Sequence, residues 1–228
     1  MKAVLISIRP WWCYHIASGK KTIEVRKSAP KIETPFKVYI YCTNTKPFLA
    51  WGDVFRGNWE TEFTFLRGYS RERAEKIWDL FNGHVIGEFV CDRVYRYASD
   101  MFRTVPVEGT DISTEDMTKF SCLTAKELYE YEHSAEPKEN CINLVGVYGW
   151  HISDLKIYDD PKPLRCFHKP CPYRLPDGSR MDVPCPCDKY THEFDEESGL
   201  ICCTRRMKKP PQSWCYVEEL NGKSNDQK

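Results

Sequence analysis

A chain of 228 residues has room for one sizeable domain, or for a domain of about 150 residues with an appendage. Its apolar fraction of 41%, with 7 Trp, 13 Tyr and 11 Phe, is enough for a real core and excludes disorder along the whole length. The 33 basic residues balance 33 acidic ones, which disfavours a non-specific, basic nucleic-acid coat protein.

Lys2 to Ile8 reads as a short apolar strand. Pro10 then opens a helix at a position where its missing N–H costs nothing. Trp11, Tyr14 and Ile16 follow before Gly19, the expected left-handed stop. Two turns are too few to hold by propensity, so packing of the aromatics must sustain this helix. Thr22 to Lys27 alternates with period two, Ile23 and Val25 on one face and Thr22, Glu24 and Arg26 on the other. Phe36 to Thr43 is a second clear strand, with Val38, Ile40 and Cys42 opposed to Lys37, Tyr39 and Tyr41.

Residues 44–83 read as an insertion, first a loop to Tyr69 and then a helix capped by Ser70 and stopped by Gly83. His84 to Tyr97 is expected to be the longest strand, Gly87 marking a bulge or a close approach. An acidic linker leads to Thr124 and Glu127, a capping box opening a short helix to about Tyr131. Asn143 to Tyr158 supplies one or two further strands. From Asp159 onward Pro becomes frequent, hydrophobic periodicity fades, and seven of the twelve cysteines appear. The expected boundaries are 1–158 for the main domain, 159–220 for a Cys-rich, Pro-rich irregular extension and 221–228 for a frayed polar tail.

Charge is distributed unevenly. From Lys2 to Lys31 seven Lys/Arg face one acid, net +6, whereas Val107 to Asp160 carries twelve acids and four lysines, net −8. An anionic ligand at the N-terminal end fits this polarity, although a solvated basic face would read the same. The apolar stretch before Arg9 is too short for a signal-peptide core, and no run approaches the roughly 18 apolar residues of a membrane span. The expected setting is cytoplasmic, with no membrane partner. There, cysteines are thiols or metal ligands rather than a disulfide framework.

Gly19, Lys21, Glu24 and Arg26 form a Gly-x-Lys-x-x-Glu-x-Arg signature behind the Arg9-Pro10-Trp11 entry to the first helix. Together with the Val85–Val94 and Val147–Trp150 segments, they resemble the ASCH (activating signal cointegrator homology) domain of the PUA-like superfamily, over roughly residues 1–158. The resemblance implies an α+β fold, a small β-barrel flanked by short helices, with a cleft over the signature. It also implies a partner that is RNA or a nucleotide-like small molecule. Some small ASCH proteins are amidohydrolases using a Lys and a Thr of this region. Lys21 matches the Lys, but Glu24 stands three residues on, where the hydroxyl would be.

The residues themselves support binding. Glu24 and Arg26 lie two apart on one strand face, about 6.5–7 Å between α-carbons. They can share one ligand, Arg26 as a planar donor fork and Glu24 as acceptor, with Lys21 as a point charge. A surface ion pair worth about 0–1 kcal/mol is the plain alternative. Trp12 could stack a base, and Arg9 and Ser7 sit at the mouth of the first strand. Were the protein a hydrolase of modified nucleosides or RNA, Lys21 would be base or activator and Glu24, or Glu88, the carboxylate. Separately, Cys171, Cys185, Cys187, Cys202 and Cys203 offer thiolates for a zinc ion that would tie down the extension, though no Cys-x2-Cys knuckle is present. The extension would then serve as a docking surface for a protein partner.

Overall fold

The structure is a computed structural model describing residues 2–44, 81–100, 103–106, 110–134, 146–170, 193–195, 200–202 and 207–220. Its chain divides into two units, one built from residues 1–10, 37–88 and 157–228, the other from 11–36 and 89–156.

In the first unit β1 (Lys2–Ile8) is the strand on which the others are laid. Six consecutive residues, Ala3 to Ile8, are buried, as a near-continuous apolar run on an interior strand should be. On one side it pairs in parallel with β3 (Phe36–Cys42), Val4 opposite Val38 and Ile8 opposite Cys42. On the other it pairs antiparallel with β12 (Trp214–Glu218), Lys2 opposite Glu218 and Ile6 opposite Trp214. With β4 (His84–Cys91) and β9 (Ser153–Pro163) the sheet runs β12-β1-β3-β4-β9.

Alternation expected in the second apolar strand does not survive, since Val38 through Cys42 are all buried. Lying between β1 and β4, β3 has neighbours on both edges, and its Tyr39 and Tyr41 face a cluster with Ala3, Leu5, Val85, Cys166, Phe167, Met207 and Val217. Tyr39 meets Phe167 edge to face at 4.9 Å, and its hydroxyl accepts the Leu220 N–H at 2.9 Å. The C-terminal segment thus contributes a strand, a 3₁₀ turn (Leu164–Cys166) and core side chains.

The second unit starts with α1 (Pro10–Ala17), closed by Gly19 at φ +72°. Its sheet has the order β2-β8-β5, from β2 (Ile23–Arg26), β8 (Val147–His151) and β5 (Val94–Tyr97). β8 is central, with Trp150 opposite Glu24 on one side and Val94 on the other. Two helices, α2 (Thr114–Ser121) and α3 (Ala125–His133), follow one another through a short turn. Met117 and Leu128 from these helices join Ile23, Val25, Tyr97 and Val147 in one core cluster.

Three expectations need correction. No closed barrel is found among the described residues: five strands form one open sheet and three another, and the ends β12 and β9, β2 and β5 are not joined. The single long strand over 84–97 is two strands, broken at Asp92 and Arg93. There the Arg93 carbonyl accepts the His151 N–H at 2.9 Å and the Cys91 thiol at 3.3 Å, which turns the chain out of the β4 ladder. The acidic linker contains α2, whose Ser113 side chain accepts the Asp116 N–H as an N-cap. The short strand pairs β6 (Ser99–Asp100) with β7 (Arg103–Pro106) and β10 (Glu193–Asp195) with β11 (Leu200–Cys202) complete the described elements. Nearly all of the 44–83 insertion, including the helix expected from Ser70, and the 221–228 tail lie outside the described residues.

Candidate functional site

Lys21, Glu24 and Arg26 come together in the second unit because a helix, a turn and a strand follow one another closely. The first helix ends at Gly19, and the Lys20 and Lys21 N–H groups both donate to the His15 carbonyl at 3.0 Å. That brings Lys21 round onto the start of β2, where period two puts Glu24 and Arg26 on one face.

The side chains form a charge network. Glu24 Oε1 receives an Arg26 guanidinium nitrogen at 2.9 Å, and Glu24 Oε2 lies 3.4 Å from Lys21 Nζ. Lys21 Nζ also donates to the Ser121 carbonyl at 2.8 Å, and it stands 5.1 Å from the centre of the Trp12 ring. Carboxylate, carbonyl and indole face are each partners an ammonium can use. Lys21 is 3% and Glu24 6% exposed, so this is no surface ion pair. Burial holds the Lys21 ammonium below the ordinary lysine range, and Glu24 opposes that push only in part.

The end of the second helix covers Lys21 at the start of β2. Its last carbonyls have no intrahelical partners and carry the negative end of the helix dipole. The Phe120 carbonyl accepts the Thr22 N–H at 2.9 Å and the Ser121 carbonyl accepts Lys21, while Cys122, at φ 58°, leaves the helix in the left-handed region. The Cys122 thiol donates to the Lys20 carbonyl at 3.4 Å. Neither Ser121 nor Cys122 was among the residues expected here. Their signal was the Ser113-x-x-Asp116 cap ahead of Met117 and Lys119, partly hidden by the acidic composition. Tyr131 of α3 is a further neighbour: burial raises its pKa, and the charges of Arg26 and Glu24 act on it in opposite directions. Trp150 is fully buried opposite Glu24 on β8.

Trp12 is half-buried and belongs to an aromatic group on α1. Trp11 meets His15 edge to face at 4.2 Å, and Trp12 lies 6.0 Å from the same ring. Burial, then Lys20 and Lys21, lower the His15 pKa and favour the neutral imidazole. Arg9 is exposed and belongs to the first unit, so four of the five expected ligand contacts share one unit. Ser7 is in the first unit too, its hydroxyl donating to the Pro211 carbonyl at 2.6 Å. Glu88 takes the Tyr158 hydroxyl at 2.5 Å and lies 3.6 Å from Lys37 Nζ, which also reaches Glu219 at 3.0 Å. Its carboxylate is therefore already engaged within the first unit.

Of the five cysteines considered for zinc, only the backbone of Cys202, in β11, is described, and the other four lie outside the described residues. Among the described residues no group of three or more His, Cys, Asp or Glu side chains could hold a metal ion. No helix among them is long and apolar enough to cross a membrane.

A mixed α and β unit carrying a buried Lys–Glu–Arg network beside an indole is what the described residues define. No family model and no curated protein matches the chain. Among solved structures it is similar to ASCH from Zymomonas mobilis, at 13% identity over 95% of this chain and 88% of that one, with a TM-score of 0.42. It is similar also to two single-residue variants of that Zymomonas mobilis protein. One, a serine-to-alanine variant, shows 14% identity over 95% of this chain and 89% of that one, with a TM-score of 0.43. The other, a tyrosine-to-phenylalanine variant, shows 15% identity over 72% and 77%, with a TM-score of 0.40. All three carry the family name that the Gly19–Arg26 signature suggests.

Proposed function

We propose that the second unit binds a nucleotide-like ligand, free or within RNA, at the Lys21–Glu24–Arg26 network. The observation that carries this reading is two cations sharing one carboxylate beside a half-buried indole. The network keeps a net positive charge, and its most exposed member, Arg26, offers a planar donor fork for a phosphate or a base carbonyl. Trp12 supplies a face on which a base can stack, a contact worth about 1–3 kcal/mol. Glu24, already held by two cations, can accept from an amide or amino group of the ligand.

Titration of nucleosides, nucleotides and short RNAs at low salt tests this. Trp12→Leu should weaken binding by about ten- to a hundredfold, the loss of one stacking contact. Arg26→Lys keeps the charge and removes the fork, and should also weaken binding. Absence of any binding, or binding indifferent to both substitutions, would discard the reading.

One observation favours hydrolysis as a second reading: burial lowers the Lys21 pKa, which suits a base. Turnover of acylated cytidine or RNA that disappears in Lys21→Met but not in Trp12→Leu would support it. Turnover that survives Lys21→Met would remove Lys21 from that role. Zinc on Cys171, Cys185, Cys187, Cys202 and Cys203 is a separate proposal, and metal analysis of purified protein decides it. A metal content near zero with all twelve thiols titratable would remove it.

A further inference from the structure

We propose that the ligand of this site is a strand of nucleic acid, its sugar-phosphate chain carried across Lys20, Phe120 and Lys119; this rests on the nucleotide-binding reading above. The observation is a patch at the point where two helix ends meet. Cys122 donates its thiol to the Lys20 carbonyl, and Thr22 donates its N–H to the Phe120 carbonyl, so the turn after α1 and the last turn of α2 are laced together. Lys20 and Lys119 are exposed there, and among the described residues neither makes an ion pair. Between them in the chain of contacts is Phe120, 36% exposed and the one large hydrophobic side chain left exposed among the described residues. The Lys119 ammonium stands 5.2 Å from its ring centre.

Helix-dipole compensation is the plain explanation for lysines at two helix C-termini. It does not account for this patch. Lys21 already fills that role, buried and hydrogen-bonded to the Ser121 carbonyl, whereas Lys20 and Lys119 extend into solvent. Nor does dipole compensation require an exposed phenyl ring. Exposed cations interleaved with an exposed aromatic are what a single strand uses, phosphates on the lysines and a base on the ring. The acids of α2, Glu115 and Asp116, occupy its first turn at the far end, and the Asp116 carboxylate is engaged by the Ser113 hydroxyl. A free nucleoside would use Trp12 and Arg26 and leave the patch empty. A strand would cover both.

The test is a salt titration with single-stranded RNA and single-stranded DNA oligonucleotides and, in parallel, with the free nucleosides. In Lys20→Gln/Lys119→Gln, oligonucleotide affinity should fall about tenfold at low salt, and the slope of log K against log salt should shrink by about 1.4, or 0.7 per lost phosphate contact. Phe120→Ala should weaken oligonucleotides with little change in that slope. Lys126→Gln, on the exposed face of α3, serves as the charge control and should change neither.

An unchanged slope in Lys20→Gln/Lys119→Gln would overturn the proposal. So would a lowered melting temperature with binding intact, which would mark the lysines as helix-end charges. Nucleosides that bind as tightly as oligonucleotides would overturn it too, while leaving the nucleotide reading in place. Conversely, an oligonucleotide whose binding depends on Lys20 and Lys119 but not on Trp12 or Arg26 would keep the patch and discard the nucleotide site. A preference between RNA and DNA identifies which strand is the ligand.

Discussion

Glu24 is the residue on which this site's electrostatics turn, because its carboxylate is shared by Lys21 and Arg26. Each cation has been taken largely out of water, and a buried charge left without its partner costs far more than a surface pair contributes. Glu24→Gln, nearly the same in shape, should therefore destabilise the protein by about 3–5 kcal/mol, read as a lowered urea midpoint. An unchanged midpoint would mean that the cations reach water in solution. The double substitution Glu24→Gln/Lys21→Met removes one stranded cation and should recover part of the loss. Contribution to stability and to recognition are thus entangled at this residue, which is why Trp12 and Arg26 are the cleaner probes of binding.

At the scale of elements, the docking of α2 on the β2-β8-β5 sheet requires a gap in the sheet's side-chain surface, and Gly149 provides it. A Cβ built there would come within 2.9 Å of both Ile23 Cγ2 and Met117 Cε. Gly149→Ala should cost about 1–3 kcal/mol through overpacking, and the penalty should be smaller in a Met117→Ala background if that contact is the cause. The third helix depends on a different device. Its Thr124 hydroxyl accepts the Glu127 N–H while the Glu127 carboxylate takes the Thr124 N–H, a reciprocal capping box. Thr124→Ala should lower stability by about 1 kcal/mol. This box was legible in the sequence, since both partners are three residues apart and nothing distant is needed to form it. By contrast, α2 was not. Its first turn is acidic and only Met117 and Ser121 are buried, so its apolar stripe is too thin to mark a helix without the sheet it covers.

Over the whole molecule, stability at high pH should reflect opposing titrations. Burial holds the Tyr39 and Tyr158 hydroxyls well above the ordinary tyrosine value of 10.0, with Glu88 adding to the shift at Tyr158. Above about pH 10 the unfolded chain sheds these protons while the folded chain keeps them, so stability falls as pH rises. Lys21 acts with the other sign. Its folded pKa lies below 10.5, and between the two values the unfolded chain binds more protons, so stability there rises with pH. Above about pH 10.5 Lys21 no longer adds to the rise, while the tyrosines, with Cys91 and Lys37, keep protons that the unfolded chain sheds, and denaturant midpoints should then decline. Tyr158→Phe should flatten that decline, and an undiminished slope would show that the hydroxyl titrates equally in both states. What the sequence by itself determined was local: the Pro10 start and Gly19 stop of α1, the apolar run of β1, the two-residue alternation of β2, and the Thr124–Glu127 box. Each rests on backbone geometry or hydrogen bonds within a few residues. Only the tertiary structure decided that β3 would be buried on both faces, that residues after Asp159 would lend Phe167 and β12 to the first sheet, and that the end of α2 would reach Thr22 and Lys21 at the start of β2. Those outcomes depend on neighbours far away in the chain, whose arrival no local pattern announces. Burial makes Lys21, Glu24 and Arg26 a charge network within the fold rather than the surface ion pair that was the plain alternative, and it leaves Lys20, Lys119 and Phe120 outside.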